Sequence, residues 1–200
     1  MRILKWIPNI LTLTRIILTI NFLVLLHDLH LYVNNTVYFT LAVIVFVLIC
    51  LTDFMDGKIA RKINTVSTIG GLLDVTADLI FILSSTFMVS LHDFIPMWYM
   101  VLVLVKFIEF VVTSYIIRNN QSNVNSLFIF DYFGRVAAVN FFLIPGIALF
   151  AYIGLKVIII SIFLYITLVL VLISSLNRCI KCYKLLKIKK QKLMESKIVS

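Results

Sequence analysis

Six runs of about 20 apolar residues fill most of this chain, and each is long enough to cross a hydrocarbon core of roughly 30 Å as a helix. They lie near 8–27, 36–57, 67–90, 95–117, 127–151 and 155–176. With 62% hydrophobic residues, 14% charged residues and a mean hydropathy of +1.10, the chain is not an ordinary soluble domain. The expectation is an all-α polytopic membrane protein of six transmembrane helices, a single membrane domain over residues 1–200. Residues 1–7 would be a short interfacial helix or an anchor for helix one, 8–176 the transmembrane bundle, and 177–200 a basic tail. The apolar stretch Ile7 to Leu26 exceeds a typical signal-peptide core and no small-residue cleavage site follows it, so it reads as a membrane helix.

The net charge of +9 is unevenly placed, and that placement predicts orientation. Arg2 and Lys5 precede the first run, Lys58, Arg61 and Lys62 lie between the second and third, Arg118 ends the fourth, and Arg178 with seven lysines fills the tail. The alternate loops near 28–35 and 91–94 have no Lys or Arg, and Lys156 stands alone between runs five and six. Both termini are therefore expected in the cytoplasm. The tail, with leucines and isoleucines between its lysines, would meet anionic membrane lipids; nucleic acid is not an expected partner of a segment joined directly to a membrane helix.

Between the second and third runs, Asp53 to Asp78 reads DFMDGKIARKINTVSTIGGLLDVTAD. On helices, Asp53 and Asp56 share one face and Asp74 and Asp78 another, so two facing helices would gather four carboxylates. Each costs roughly 2.5 to 3.5 kcal/mol near bilayer depth, so a cation is needed among them. Oxygen donors without nearby His or Cys suit Mg2+ or Mn2+ rather than zinc. Gly57 and Ala60 leave the helix beside the acids nearly bare, open to a flat ligand. Arg61 adds a forked cation suited to phosphate. Metal, arginine and bare helix together point to a diphosphate ligand.

The pattern D-x2-D-G-x2-A-R-x8-G-x3-D-x3-D, matched by Asp53, Asp56, Gly57, Ala60, Arg61, Gly70, Asp74 and Asp78, resembles the signature of the CDP-alcohol phosphatidyltransferases. The resemblance implies a six-helix membrane enzyme, a homodimer, with two divalent ions (Mg2+ or Mn2+) gripping the diphosphate of a CDP-alcohol. By position it makes Asp53, Asp56 and Asp74 metal ligands, and Asp78 a further ligand or the catalytic base. Gly57, Ala60 and Gly70 would make room for the nucleotide, with Asp53 beside it and Arg61 on its phosphates. The expected reaction transfers the phosphatidyl group from CDP-diacylglycerol to glycerol 3-phosphate, releasing CMP in phospholipid biosynthesis. It would take place at the cytoplasmic face of a bacterial cell membrane.

The acceptor rests on partial matches. PNILTLTR resembles the start of family members that make phosphatidylglycerophosphate, and EFVVT (109–113) resembles their EFxVT run, although Ile108 replaces the arginine before the glutamate. Gly134-Arg135 falls where relatives show glycine and lysine, but Ala137 replaces a second basic residue, and Val75 and Leu79 depart from their LDPLADK. Arg15, Arg118 and Arg135 are the candidates for the acceptor's phosphate. Inositol phosphate, serine or phosphatidylglycerol as acceptor, or a cation transporter lined by the same acids, are the alternatives.

Several other features have two readings. His27, Asp28, His30, His92 and Asp93 are assigned to outer loops, as ordinary polar residues or a second metal site. Lys106 and Glu109 form an intramembrane ion pair or help to hold the acceptor. Asp131 and Arg135, placed within helix five, have the spacing of a helical pair. Pro145-Gly146 should kink or break that helix. Helix six reads as packing, and Cys179 and Cys182 as an isolated CxxC without a second pair to complete a zinc site.

Overall fold

The computed structural model describes residues 7–32, 35–62, 68–120, 129, 131–154 and 156–198. Helices are α1 (Ile7–Leu31), α2 (Thr36–Lys62), α3 (Thr68–Leu91), α4 (Met97–Asn120), α5 (Tyr132–Leu149) and α6 (Val157–Ile198), with a 3-10 turn at Phe150–Ile153. All six helices are long and apolar enough to cross a membrane, and no strand occurs among the described residues. The segment 1–6 lies outside the described residues, and with it most of the expected interfacial helix.

The helix ends have local causes. Asn35 caps α2, its side-chain oxygen accepting from Val37 N–H at 3.0 Å. Asp131 caps α5 in the same way, with Gly134 N–H donating at 3.0 Å. The expected start of helix five near 127 is therefore corrected to Tyr132, because Asp131 satisfies the first free N–H groups from outside the helix. Pro145 does not break α5, which runs on to Leu149. The break comes at the 3-10 turn, closed by Gly154 at φ 98°. Gly146 serves another purpose: a Cβ there would run into the ring of Phe46.

Two further boundaries differ from expectation. α1 continues to Leu31, so His27, Asp28 and His30 lie on its last turns rather than in a loop. The cause is packing: Phe22, Leu26 and Leu29 are buried at helical spacing and carry the helix through the polar residues between them. The basic segment after 176 continues α6 as one 42-residue helix to Ile198. Burial of Arg178 and Cys182, four residues apart, keeps one face packed after the apolar run has ended.

The chain forms two compact units. The first comprises Met1–Met100 and Phe141–Leu164, the second Val101–Asn140 and Tyr165–Ser200. In the first, α1 packs on both α2 and α3. Phe22, Phe46 and Phe81, one from each helix, form its aromatic centre, with ring centroids 5.8 to 6.2 Å apart. Phe142 adds a fourth ring, 4.7 Å from Phe81.

Candidate metal centre

The aromatic centre sets the register of the site. On the three helices Arg15, Asp53 and Asp74 each lie seven residues, or two helical turns, from Phe22, Phe46 and Phe81 respectively, and so on the same faces. Packing the three rings together therefore brings an arginine and two aspartates to one level. Asp78, one turn along α3 from Asp74, joins them.

Carboxylate oxygens of Asp53, Asp74 and Asp78 lie within 4.8 Å of one another, the one such cluster of acidic, histidine or cysteine ligands among the described residues. Arg15, with no exposed surface, reaches all three. Its Nη2 is 3.1 Å from Asp53 Oδ1, and its Nη1 donates to Asp74 Oδ1 at 3.0 Å and to Asp78 Oδ1. Thr19 Oγ1 donates to the Arg15 carbonyl at 2.8 Å. The aspartate side chains retain 39%, 37% and 29% exposure in chain order, so the cluster opens outward while its arginine floor is sealed. A Cβ on Gly71 would meet nothing within 4 Å, so open surface begins one turn before Asp74. Three converging hard oxygen donors, accessible from one side, fit a divalent ion such as Mg2+ or Mn2+.

Asp56, Gly57, Ala60 and Arg61 lie on the last turns of α2, and their side chains are outside the described residues. Gly70 opens α3, part-buried. Arg118 and Arg135 are exposed residues of the second unit, on the last turn of α4 and the first of α5. Of the three arginines considered for the acceptor's phosphate, Arg15 meets the acids within the first unit. The long sequence separation of Arg15 from Asp74 and Asp78 hides that pairing from motif reading.

The second unit holds a polar network that the sequence showed only in part. Lys106 Nζ bonds Glu109 Oε2 at 3.1 Å, Ser174 Oγ at 2.8 Å and Ser175 Oγ at 3.1 Å. Arg178 is 2% exposed and is held by Thr113 Oγ1 at 2.7 Å, Ser114 Oγ at 2.9 Å, the Phe110 and Ile129 carbonyls and Asp131 Oδ1 at 3.5 Å. Burial acts to raise the Asp131 carboxyl, but the Ser174 hydroxyl, the Gly134 and Asp131 N–H groups and Arg178 outweigh it and hold it below the usual carboxylate range. The adjacent Ser174 and Ser175 at the end of an apolar run, and Arg178 placed four residues before Cys182, were the available signals. At the other polar end of the first unit, His30 and His92 stack in parallel with centroids 3.9 Å apart, and His92 Nδ1 bonds the Tyr152 hydroxyl. Parallel rings do not converge on a common ligand position.

Fold and site together define a helical membrane protein with three carboxylates, from α2 and α3, gathered around an arginine of α1. The family model for CDP-alcohol phosphatidyltransferase matches residues 5–175, and the chain belongs to that family. It is 41% identical over 93 residues to the CDP-diacylglycerol--glycerol-3-phosphate 3-phosphatidyltransferase of Rickettsia prowazekii (strain Madrid E), covering 46% of this chain and 49% of that protein. The protein of the same name from Bacillus subtilis (strain 168) is 32% identical over 71 residues, 36% of each chain. A cardiolipin synthase (CMP-forming) of Streptomyces coelicolor (strain ATCC BAA-471 / A3(2) / M145) is 35% identical over 65 residues, 32% of this chain and 30% of that one. The chain thus spans about half the length, or less, of these curated relatives.

Proposed function

We propose that this chain transfers the phosphatidyl group of CDP-diacylglycerol to glycerol 3-phosphate at the cytoplasmic face of a bacterial membrane. The observation that carries the reading is the convergence of Asp53, Asp74 and Asp78 in a chain that matches its family over residues 5–175. Asp53, Asp56, Asp74 and Asp78 hold the metal, two ions in the full complement. Bound there, Mg2+ or Mn2+ supplies Lewis-acid polarisation of the diphosphate and offsets charge on the departing CMP.

The chain's own residues do the rest. Gly57, Ala60 and Gly70 leave backbone bare for the cytidine nucleotide, and Arg61 binds its phosphates. Arg118 and Arg135 are the proposed grips for the acceptor's phosphate. Asp78 takes the proton of the acceptor hydroxyl as its oxygen attacks the lipid-bearing phosphorus. The bond from that phosphorus to the CMP oxygen breaks, CMP leaves with the electron pair, and no covalent enzyme intermediate forms. A homodimer is the proposed assembly. The Streptomyces relative favours one second reading, the same chemistry with phosphatidylglycerol as acceptor.

The test offers the purified protein CDP-diacylglycerol, Mg2+ and an equal mixture of glycerol 3-phosphate, inositol phosphate, serine and phosphatidylglycerol, and identifies the lipid product by mass. Phosphatidylglycerophosphate as the product supports the assignment. Cardiolipin would move it to the second reading, and a product from inositol phosphate or serine would replace the acceptor but keep the chemistry.

A further inference from the structure

We infer that Arg15 is the resident counter-cation of the metal centre: it holds the three carboxylates together and competes with the divalent ion for them. The inference rests on reading Asp53, Asp74 and Asp78 as metal ligands. Carboxylates with oxygens within 4.8 Å of one another repel, and they stay converged only with positive charge between them. Arg15 supplies it from α1, with one terminal nitrogen on Asp53 and the other shared by Asp74 and Asp78. The guanidinium occupies the Oδ1 atom of each acid, an atom that a metal would also use.

Its position is fixed by packing rather than by the acids alone. The side chain has no exposed surface, its carbonyl is bonded by Thr19, and Phe22 two turns on locks α1 to the aromatic rings that set the register of Asp53 and Asp74. Arg15 therefore cannot drift to solvent when a divalent ion arrives. Ion and guanidinium must share the carboxylates at close range, and their repulsion lowers the affinity for metal. Three carboxylates and one guanidinium leave a formal charge of −2 to attract a divalent ion. Without Arg15 the same oxygens carry −3 and attract the ion more strongly.

A purely structural arginine would behave in the opposite way, since its loss would let the acids splay and weaken metal binding. Mn2+ binding to the full-length protein in lipid nanodiscs, read from the electron paramagnetic resonance of free Mn2+, separates the two. Arg15→Gln should lower the Mn2+ Kd by at least about tenfold, while Arg15→Lys, which keeps the charge, should remain near wild type. In EDTA the Arg15→Gln protein should melt well below wild type, and saturating Mn2+ should restore most of the difference. An unchanged or weaker Kd in Arg15→Gln, or failure of that variant to fold even in Mn2+, would overturn the inference. Wild-type protein that binds no Mn2+ would instead sink the metal reading beneath it.

Discussion

Asp78 and Arg178 are both polar residues in membrane helices, and their substitutions should fail in different ways. Asp78→Asn keeps the shape and removes the proton acceptor, so turnover should fall by roughly 10² to 10⁴ while the melting temperature changes little. Arg178→Met takes a charged donor away from each of Thr113, Ser114, two carbonyls and Asp131. It should therefore cost on the order of 3–5 kcal/mol of stability, measured by unfolding in mixed micelles. Gly146→Val drives a branched side chain into Phe46 and should cost about 1–3 kcal/mol by the same assay. If Gly146→Val is neutral, the contact of Gly146 with Phe46 is not as close as described.

At the scale of elements, what could be read in the sequence depended on how far apart the partners lie. The six helices were legible because a membrane demands an uninterrupted apolar run, and the aspartate signature because its residues fall on two consecutive helices. The Arg15 pairing was not legible, since it joins helix one to helix three through packing that no local spacing encodes. That the basic segment after 176 continues α6 was not legible, because its composition turns basic at Arg178 although its helical burial pattern goes on. The turn after α3 has its own test. Burial first, then His30 and His27, hold His92 below the ordinary histidine value, against the opposing pull of Asp93. A histidine whose folded value is depressed contributes fully above its unfolded value of about 6.5 and loses that contribution as pH falls through the folded one. Stability measured by melting should thus decline from pH 7 to pH 5, and His92→Gln should flatten that decline.

For the whole molecule the charge distribution predicts that both termini and the metal centre face the cytoplasm. Cys179 is an exposed native thiol on the basic half of α6, whereas Cys182 is buried. A membrane-impermeant maleimide should label it in inside-out vesicles and not in intact cells, and the reverse pattern would invert the topology. The central claim is the metal-dependent transfer itself, and CMP release from CDP-diacylglycerol by the purified protein tests it most directly. The account predicts release that requires both Mg2+ or Mn2+ and glycerol 3-phosphate, stops in EDTA and is lost in Asp78→Asn. Release that persists in EDTA, or no release with any acceptor from protein shown to be folded, would contradict it.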